Sequence, residues 1–136
     1  MKTLTIDRSK WRTGGDDFIE PQKDLGRTML LNDKGQMCCL GFYSKQLGGL
    51  FDDEILNIDA PSTLAERCGY GRMNGDMLRL VKNDFCGEFK TENTSFAEEA
   101  IAINDNERIE NDVREIEIIQ HFKRIGVDVV FTGEYK

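Results

Sequence analysis

The chain has 136 residues and a mass of 15.5 kDa, the size of one domain. Its 25 acidic and 18 basic side chains leave a net charge of −7 and a pI near 4.8. That balance excludes general affinity for nucleic acid, which needs an excess of Lys and Arg over phosphate. Hydrophobic residues at 39% and charged residues at 32% exclude a disordered chain. No apolar run approaches the roughly 20 residues of a membrane helix, and Met1–Asp7 lacks the apolar stretch of a signal peptide. The expectation is a cytoplasmic monomer or a small oligomer such as a homodimer, with no membrane partner.

Leu4 and Ile6 alternate with Thr3, Thr5 and Asp7, the period of a half-buried strand. Trp11 follows, and then a loop over Arg12–Asp17 and Pro21. Arg27–Leu31 reads as a second strand, closed by the turn residues Asn32-Asp33-Lys34-Gly35. With Gln36–Cys38 extended after the turn, the segment predicts a β-hairpin. Cys39, Tyr43 and Leu47 at i, i+4 and i+8 predict a helix that Gly48-Gly49 stops. Asp52–Leu56 predicts one helical turn with acids at its positive end, and Pro61–Arg67 a short helix with Ser62 as N-cap. Gly69–Gly75 reads as a loop, followed by a helical turn over Asp76–Val81.

The last third is the most regular. Thr94 or Ser95 caps a helix, Ser95 and Glu98 fit a capping box, and Phe96, Ala97, Ala100 and Ile101 form its apolar face as far as Ile103. Asn104-Asp105-Asn106 breaks it. Asp112 or Asn111 caps a second helix, with Val113, Ile116, Ile119 or Gln120, Phe122 and Ile125 as its apolar stripe. Gly126 ends it, and Val127, Val129 and Phe131 alternate in a closing strand. The whole predicts a small single α+β domain over residues 1–136. Its sheet is expected to be mostly antiparallel, formed by the hairpin plus the terminal strands and backed by helices, with an acidic helical C-terminal third over 94–125.

Charge is unevenly placed. Residues 1–90 hold 14 acids and 13 bases, a net of −1, whereas residues 91–136 hold 11 and 5, a net of −6. Such an end either solvates a helical face or docks on a basic partner. Four cysteines, Cys38, Cys39, Cys68 and Cys86, lack both an export signal and the C-x2-C spacing of a zinc knuckle, so reduced thiols are expected and no metal.

Three further features bear on chemistry. Cys38-Cys39 at a helix start either packs the hairpin against its helix or supplies a nucleophile, with His121, the single histidine, as base and Asn104 or Asp105 to orient it. Gly69–Gly75 is either a surface loop or an anion cradle in which Arg72 meets phosphate, Tyr70 stacks on a base and Asn74 assists. Asn104-Asp105 satisfies backbone amides locally or fixes the angle between the two acidic helices. An alternating calcium loop is absent.

The strings Thr5-Ile6-Asp7-Arg8-Ser9-Lys10-Trp11, Gln36-Met37-Cys38-Cys39-Leu40-Gly41-Phe42, Ile103-Asn104-Asp105, Arg114-Glu115 and Gly126–Phe131 resemble a family of small uncharacterised phage and prophage proteins. These read D-R-S-K-W, M-C-C-L-G-F, I-N-D, then a helix with R-E ending in G-I-x-V-x-F. The resemblance touches both ends and the middle, and Asp52–Asn93 fits it poorly. It implies a phage origin and no particular activity.

On this footing the expected function is inhibition of a host antiviral-defence component, a protein or nucleoprotein complex, by protein–protein contact in the host cytoplasm. Anti-CRISPR proteins act in this way. The contact residues would be Glu98, Glu99, Asp105, Glu107, Glu110 and Asp112, with no catalytic residue and no cofactor. One alternative is a sponge for a small nucleotide messenger that uses Tyr70, Arg72 and Asn74; a further one is a cysteine-dependent enzyme using Cys39 and His121.

Overall fold

The computed structural model describes residues 2–13, 29–58, 60–81 and 96–135. Strand β1 (Lys2–Asp7) is followed in chain order by helices α1 (Cys39–Gln46), α2 (Asp52–Ile55), α3 (Pro61–Cys68), α4 (Gly75–Val81), α5 (Phe96–Asp105) and α6 (Asn111–Lys123), and then by strand β2 (Val127–Thr132). β1 and β2 form a two-stranded parallel sheet in the register Lys2↔Val127 to Asp7↔Thr132. Every described helix lies between the two strands in sequence. Leu4, Ile6, Val127 and Val129 point into one core with Leu40, Tyr43, Phe96, Ile118 and Phe122.

The expected mostly antiparallel sheet is therefore wrong: the domain is helix-dominated and its sheet is parallel. The turn at Asn32–Gln36 does form, with Asn32 Oδ1 accepting the N–H groups of Lys34 and Gln36 at 3.0 and 2.8 Å. Its flanks do not make a hairpin ladder, because Cys38 already serves as the N-cap residue of α1 and leaves no strand beyond the turn. Two bonds do join the flanks, Asn32 N–H to Gln36 O at 2.8 Å and Cys38 N–H to Met29 O at 3.2 Å, but the other flanking backbone groups pair elsewhere. Leu30 N–H donates to Ile58 O at 2.7 Å, Asn57 N–H to Leu31 O at 2.8 Å, Met37 N–H to Lys10 O at 2.8 Å and Arg12 N–H to Met37 O at 2.8 Å. Isolated parallel bridges Leu31↔Leu56 and Trp11↔Met37 result.

Helix limits match local chemistry more closely. α1 ends before Gly48 and Gly49, and Gly49 takes φ +67°. Gly41 is required inside α1, since a Cβ there would stand 1.9 Å from Leu30 O. α3 begins at Pro61, so Ser62 lies within the helix rather than at its cap, and proline takes the first helical position, where its missing N–H costs nothing. The Gly69–Gly75 segment contains a single 3-10 turn, Tyr70–Arg72, and α4 starts at Gly75. α5 runs two residues past Ile103, so that Asn104 and Asp105 close the helix. Gly126, at φ +76°, turns the chain from α6 into β2. The readings that fall on Gly14–Asp17, Pro21, Arg27-Thr28, Cys86, Thr94 and Ser95 lie outside the described residues.

Of the apolar stripe assigned to α6, Phe122 is buried and Ile119 and Ile125 pack against the core, but its first two members are corrected by the structure. Val113 and Ile116 are 42% and 55% exposed, whereas Arg114, Ile118, His121 and Phe122 face inward. The carbonyls left over at the end of α5 account for this. Arg114 donates to Ile103 O and Ile109 O, both at 3.3 Å, and to Asn106 O and Asn111 Oδ1. A helix C-terminus needs such donors, and a guanidinium can serve several carbonyls at once. Burying Arg114 rotates Val113 out to solvent.

Candidate functional site

The six acids of the expected contact face separate into two groups. Glu107 and Glu110 lie in the connection between α5 and α6 and Asp112 in the first turn of α6, all three exposed. Asp112 Oδ1 accepts the N–H of Val113 at 2.9 Å. Glu98 is exposed on α5, roughly two helical turns away. Glu99 and Asp105 are half-buried and already engaged. Glu99 Oε2 accepts from Arg124 at 3.3 Å and lies 3.8 Å from His121 Nδ1, and Asp105 Oδ1 accepts the amide of Asn104 at 3.0 Å. The corner thus carries Glu107, Glu110 and Asp112 beside the exposed apolar pair Val113 and Ile116. Sequence reasoning missed that pair by placing it in the core.

Asn104 is fully buried and joins strings that are far apart in the chain. Its Oδ1 accepts the Trp11 indole N–H at 2.7 Å and the Cys39 N–H at 3.0 Å, and its Nδ2 donates to Arg12 O at 2.9 Å. The N–H of Cys39 is one of the orphan donors at the start of α1, so a residue on α5 caps α1. Trp11 in turn packs against Phe131 with its ring tilted by 43° and the ring centroids 4.9 Å apart.

A second junction is ionic. Arg8 forks Glu115 with two bonds of 2.8 Å, donates to Gly133 O at 3.0 Å and lies over the rings of Phe131 and Tyr135. The Tyr135 hydroxyl donates to the same carboxylate. The Arg8 fork holds the Glu115 carboxyl below its ordinary range. Asn104 therefore acts as a tertiary joint, its amide bonding Trp11, Cys39 and Arg12 rather than nearby backbone amides.

The thiol pair has the opposite of an activated environment. Cys39 is fully buried, its Sγ faces Ala100 O at 3.8 Å, and burial pushes its thiol well up. Cys38 is also buried. Among the described residues His121 bonds Phe96 rather than a thiol, its Nε2 lying 2.9 Å from Phe96 O and its ring stacked on Phe96 at 4.2 Å. Burial pulls the imidazole below its ordinary pKa, against the bond to Phe96.

The glycine loop is similarly occupied. Arg72 donates to Glu54 at 2.8 Å and Gly49 O at 3.1 Å, and lies 5.1 Å above the ring of Phe51, which is otherwise exposed. Asn74 caps α4 through Met77 N–H at 3.0 Å and donates to Leu47 O at 2.8 Å. Tyr70 is exposed. The cation needed for a phosphate is thus tied to a carboxylate. The aromatic residues Trp11, Phe42 and Tyr43 share the core, and Phe51 stands outside it.

Sequence reasoning also missed a cleft. A cavity of about 610 Å³ lies between the Asn32–Gln36 turn, Lys10 and α2, and a second of about 370 Å³ adjoins β1. They share Lys10, Met37 and Lys45, residues too distant in sequence to signal a common wall. No described helix is long and apolar enough to cross a membrane. Comparison with protein-family models, with curated proteins and with solved structures finds no match for this chain.

Proposed function

We propose that the chain is a non-enzymatic binding protein whose α5–α6 corner docks on a basic protein surface. The observation that carries this is the exposed pair Val113 and Ile116 set beside Glu107, Glu110 and Asp112. Large apolar side chains are exposed elsewhere on the chain too, but here two stand one helical turn apart next to three acids, the arrangement of an interface core with a charged rim. The acids supply long-range attraction and orientation, and the aliphatic pair supplies burial.

The partner class that fits is the positively charged groove of a nucleic-acid-handling complex. Together with the resemblance to phage proteins, this supports inhibition of a host antiviral-defence component in the host cytoplasm. The loop at Tyr70–Asn74 and the thiol of Cys39 lend no comparable support to the messenger-binding or enzymatic alternatives.

The reading is tested by capture from host lysate at low and high salt. The wild-type chain is compared with one in which Glu98, Glu107, Glu110 and Asp112 are changed to Lys. A specific basic protein retained by the wild type at low salt and lost from the reversed chain is the expected result. Equal retention by both chains refutes it.

A further inference from the structure

His121, the single histidine of the chain, lies buried where α6 packs on α5. Its Nε2 stands 2.9 Å from Phe96 O. A peptide carbonyl only accepts, so Nε2 carries the hydrogen and the neutral ring keeps its lone pair on Nδ1. That lone pair faces Glu99 Oε2 at 3.8 Å. Two acceptors with no proton between them stand off at such a distance, whereas a charge-assisted bond would close it to about 2.7–2.9 Å. The same carboxylate oxygen accepts from Arg124, the C-cap residue of α6, at 3.3 Å.

Every described contact of the ring suits its charged form. Phe96 O accepts from Nε2 in either state, and Glu99 would accept from a protonated Nδ1. The Phe96 ring, stacked at 4.2 Å with the planes 8° apart, offers a π face to a cation. Burial and the positive charge of Arg124 oppose the proton, and at neutral pH they prevail. Among the described residues the charged groups around the ring are Glu99 on α5, Glu117 on α6 and Arg124 at its end. Glu117 and Arg124 line a cavity of about 330 Å³ together with His121, which gives a proton a route to the ring.

We infer that His121 and Glu99 form a proton-operated clasp between α5 and α6. A proton taken from solvent at Nδ1 turns that nitrogen from acceptor into donor. Glu99 then swings over to bond it, and the Arg124–Glu99 bond opens. When pH rises the proton returns to solvent and Arg124 recovers the carboxylate. The clasp joins the first turn of α5 to the last turn of α6, the far end of the helix pair from the corner at Glu107–Ile116, and does not depend on docking there.

The test is NMR of the full chain labelled with 15N, in which a single histidine makes the imidazole signals unambiguous. At neutral pH they should show the Nε2–H tautomer. On acidification Nδ1 should take its proton while the dispersed amide spectrum of the folded chain persists. Glu99→Gln should lower the titration midpoint by roughly one pH unit or more, because the carboxylate charge is gone. Arg124→Gln should raise it, because Glu99 is released to His121; a histidine that is merely packed gives no such pair of opposite responses. The tautomer and the wild-type titration need no variant to fold. An Nδ1–H tautomer, a ring protonated only as the chain unfolds, a midpoint left in place by Glu99→Gln, or one not raised by Arg124→Gln each overturns the proposal.

Discussion

Replacing Asn104 with Ala should cost more stability than any other single polar substitution among the described residues. The side chain is fully buried and holds Trp11 Nε1, Cys39 N–H and Arg12 O at 2.7, 3.0 and 2.9 Å. Alanine leaves two buried donors and one acceptor without partners. Each such donor costs about 1–3 kcal/mol, because its bond to water is given up and nothing replaces it. A loss of about 3–5 kcal/mol follows from the two donors and the small void. That is a large share of the roughly 5–15 kcal/mol typical of a domain.

Urea denaturation followed by circular dichroism measures the loss, and the emission of Trp11, the single tryptophan, reports the local change independently. A double-mutant cycle with Trp11→Phe should return a coupling of about 1–3 kcal/mol, since the two side chains share one hydrogen bond in one network. A loss below about 1 kcal/mol, with Trp11 emission unchanged, would refute the joint assigned to Asn104.

The other predictions concern the α6 register, His121, the thiols and the glycine loop. Ile118→Ala should cost about 2–5 kcal/mol and Ile116→Ala under about 0.5 kcal/mol in the same denaturation assay, since the first is fully buried and the second 55% exposed. Comparable losses would return Ile116 to the core. Burial lowers the folded-state pKa of His121, so the unfolded chain binds the extra proton first. Stability from this group is therefore complete above the unfolded pKa, about 6.5, and declines as pH falls through and below it. His121→Gln should flatten that slope, and an unaltered slope would contradict the assignment.

A thiol-reactive probe with peptide mapping should label the partly exposed Cys68 well before the buried Cys39; prompt labelling of Cys39 would reopen the nucleophile reading. Cyclic nucleotides should leave the melting temperature unchanged, because Arg72 is held by Glu54; a concentration-dependent rise would favour the messenger-binding alternative.

What the sequence made legible was local. Gly48-Gly49 ending α1 and Gly126 closing α6 act within one turn of the chain and stand where their backbone chemistry requires, whereas the cap assigned to Ser62 fell inside α3, which Pro61 starts. The alternation of Leu4 with Ile6 and of Val127 with Val129 marked two strands but carried no information on their direction, which depends on pairing across the whole chain. The Asn32–Gly35 turn signal was sound, yet the hairpin failed because Cys38 was claimed by α1.

The face of α6 was misread for a comparable reason. Arg114 is polar on any scale, and only the carbonyls of Ile103, Asn106 and Ile109, supplied by the end of α5 and its connection, make its burial favourable. The acidic corner was legible as charge, and its apolar centre was not. The quoted strings proved to meet in space, Trp11 and Cys39 on Asn104, and Arg8 on Glu115 and Phe131, so much of their content is structural.

Site-specific photo-crosslinking tests the docking face most directly. A photoreactive residue is placed at Ile116 in one preparation and at Tyr70 in another, both exposed positions, and each is irradiated in host lysate. The proposed function predicts a discrete basic protein joined to the chain at position 116, diminished by high salt, with nothing comparable at position 70. Crosslinks of equal yield at both positions, or a discrete adduct only at position 70, would contradict it.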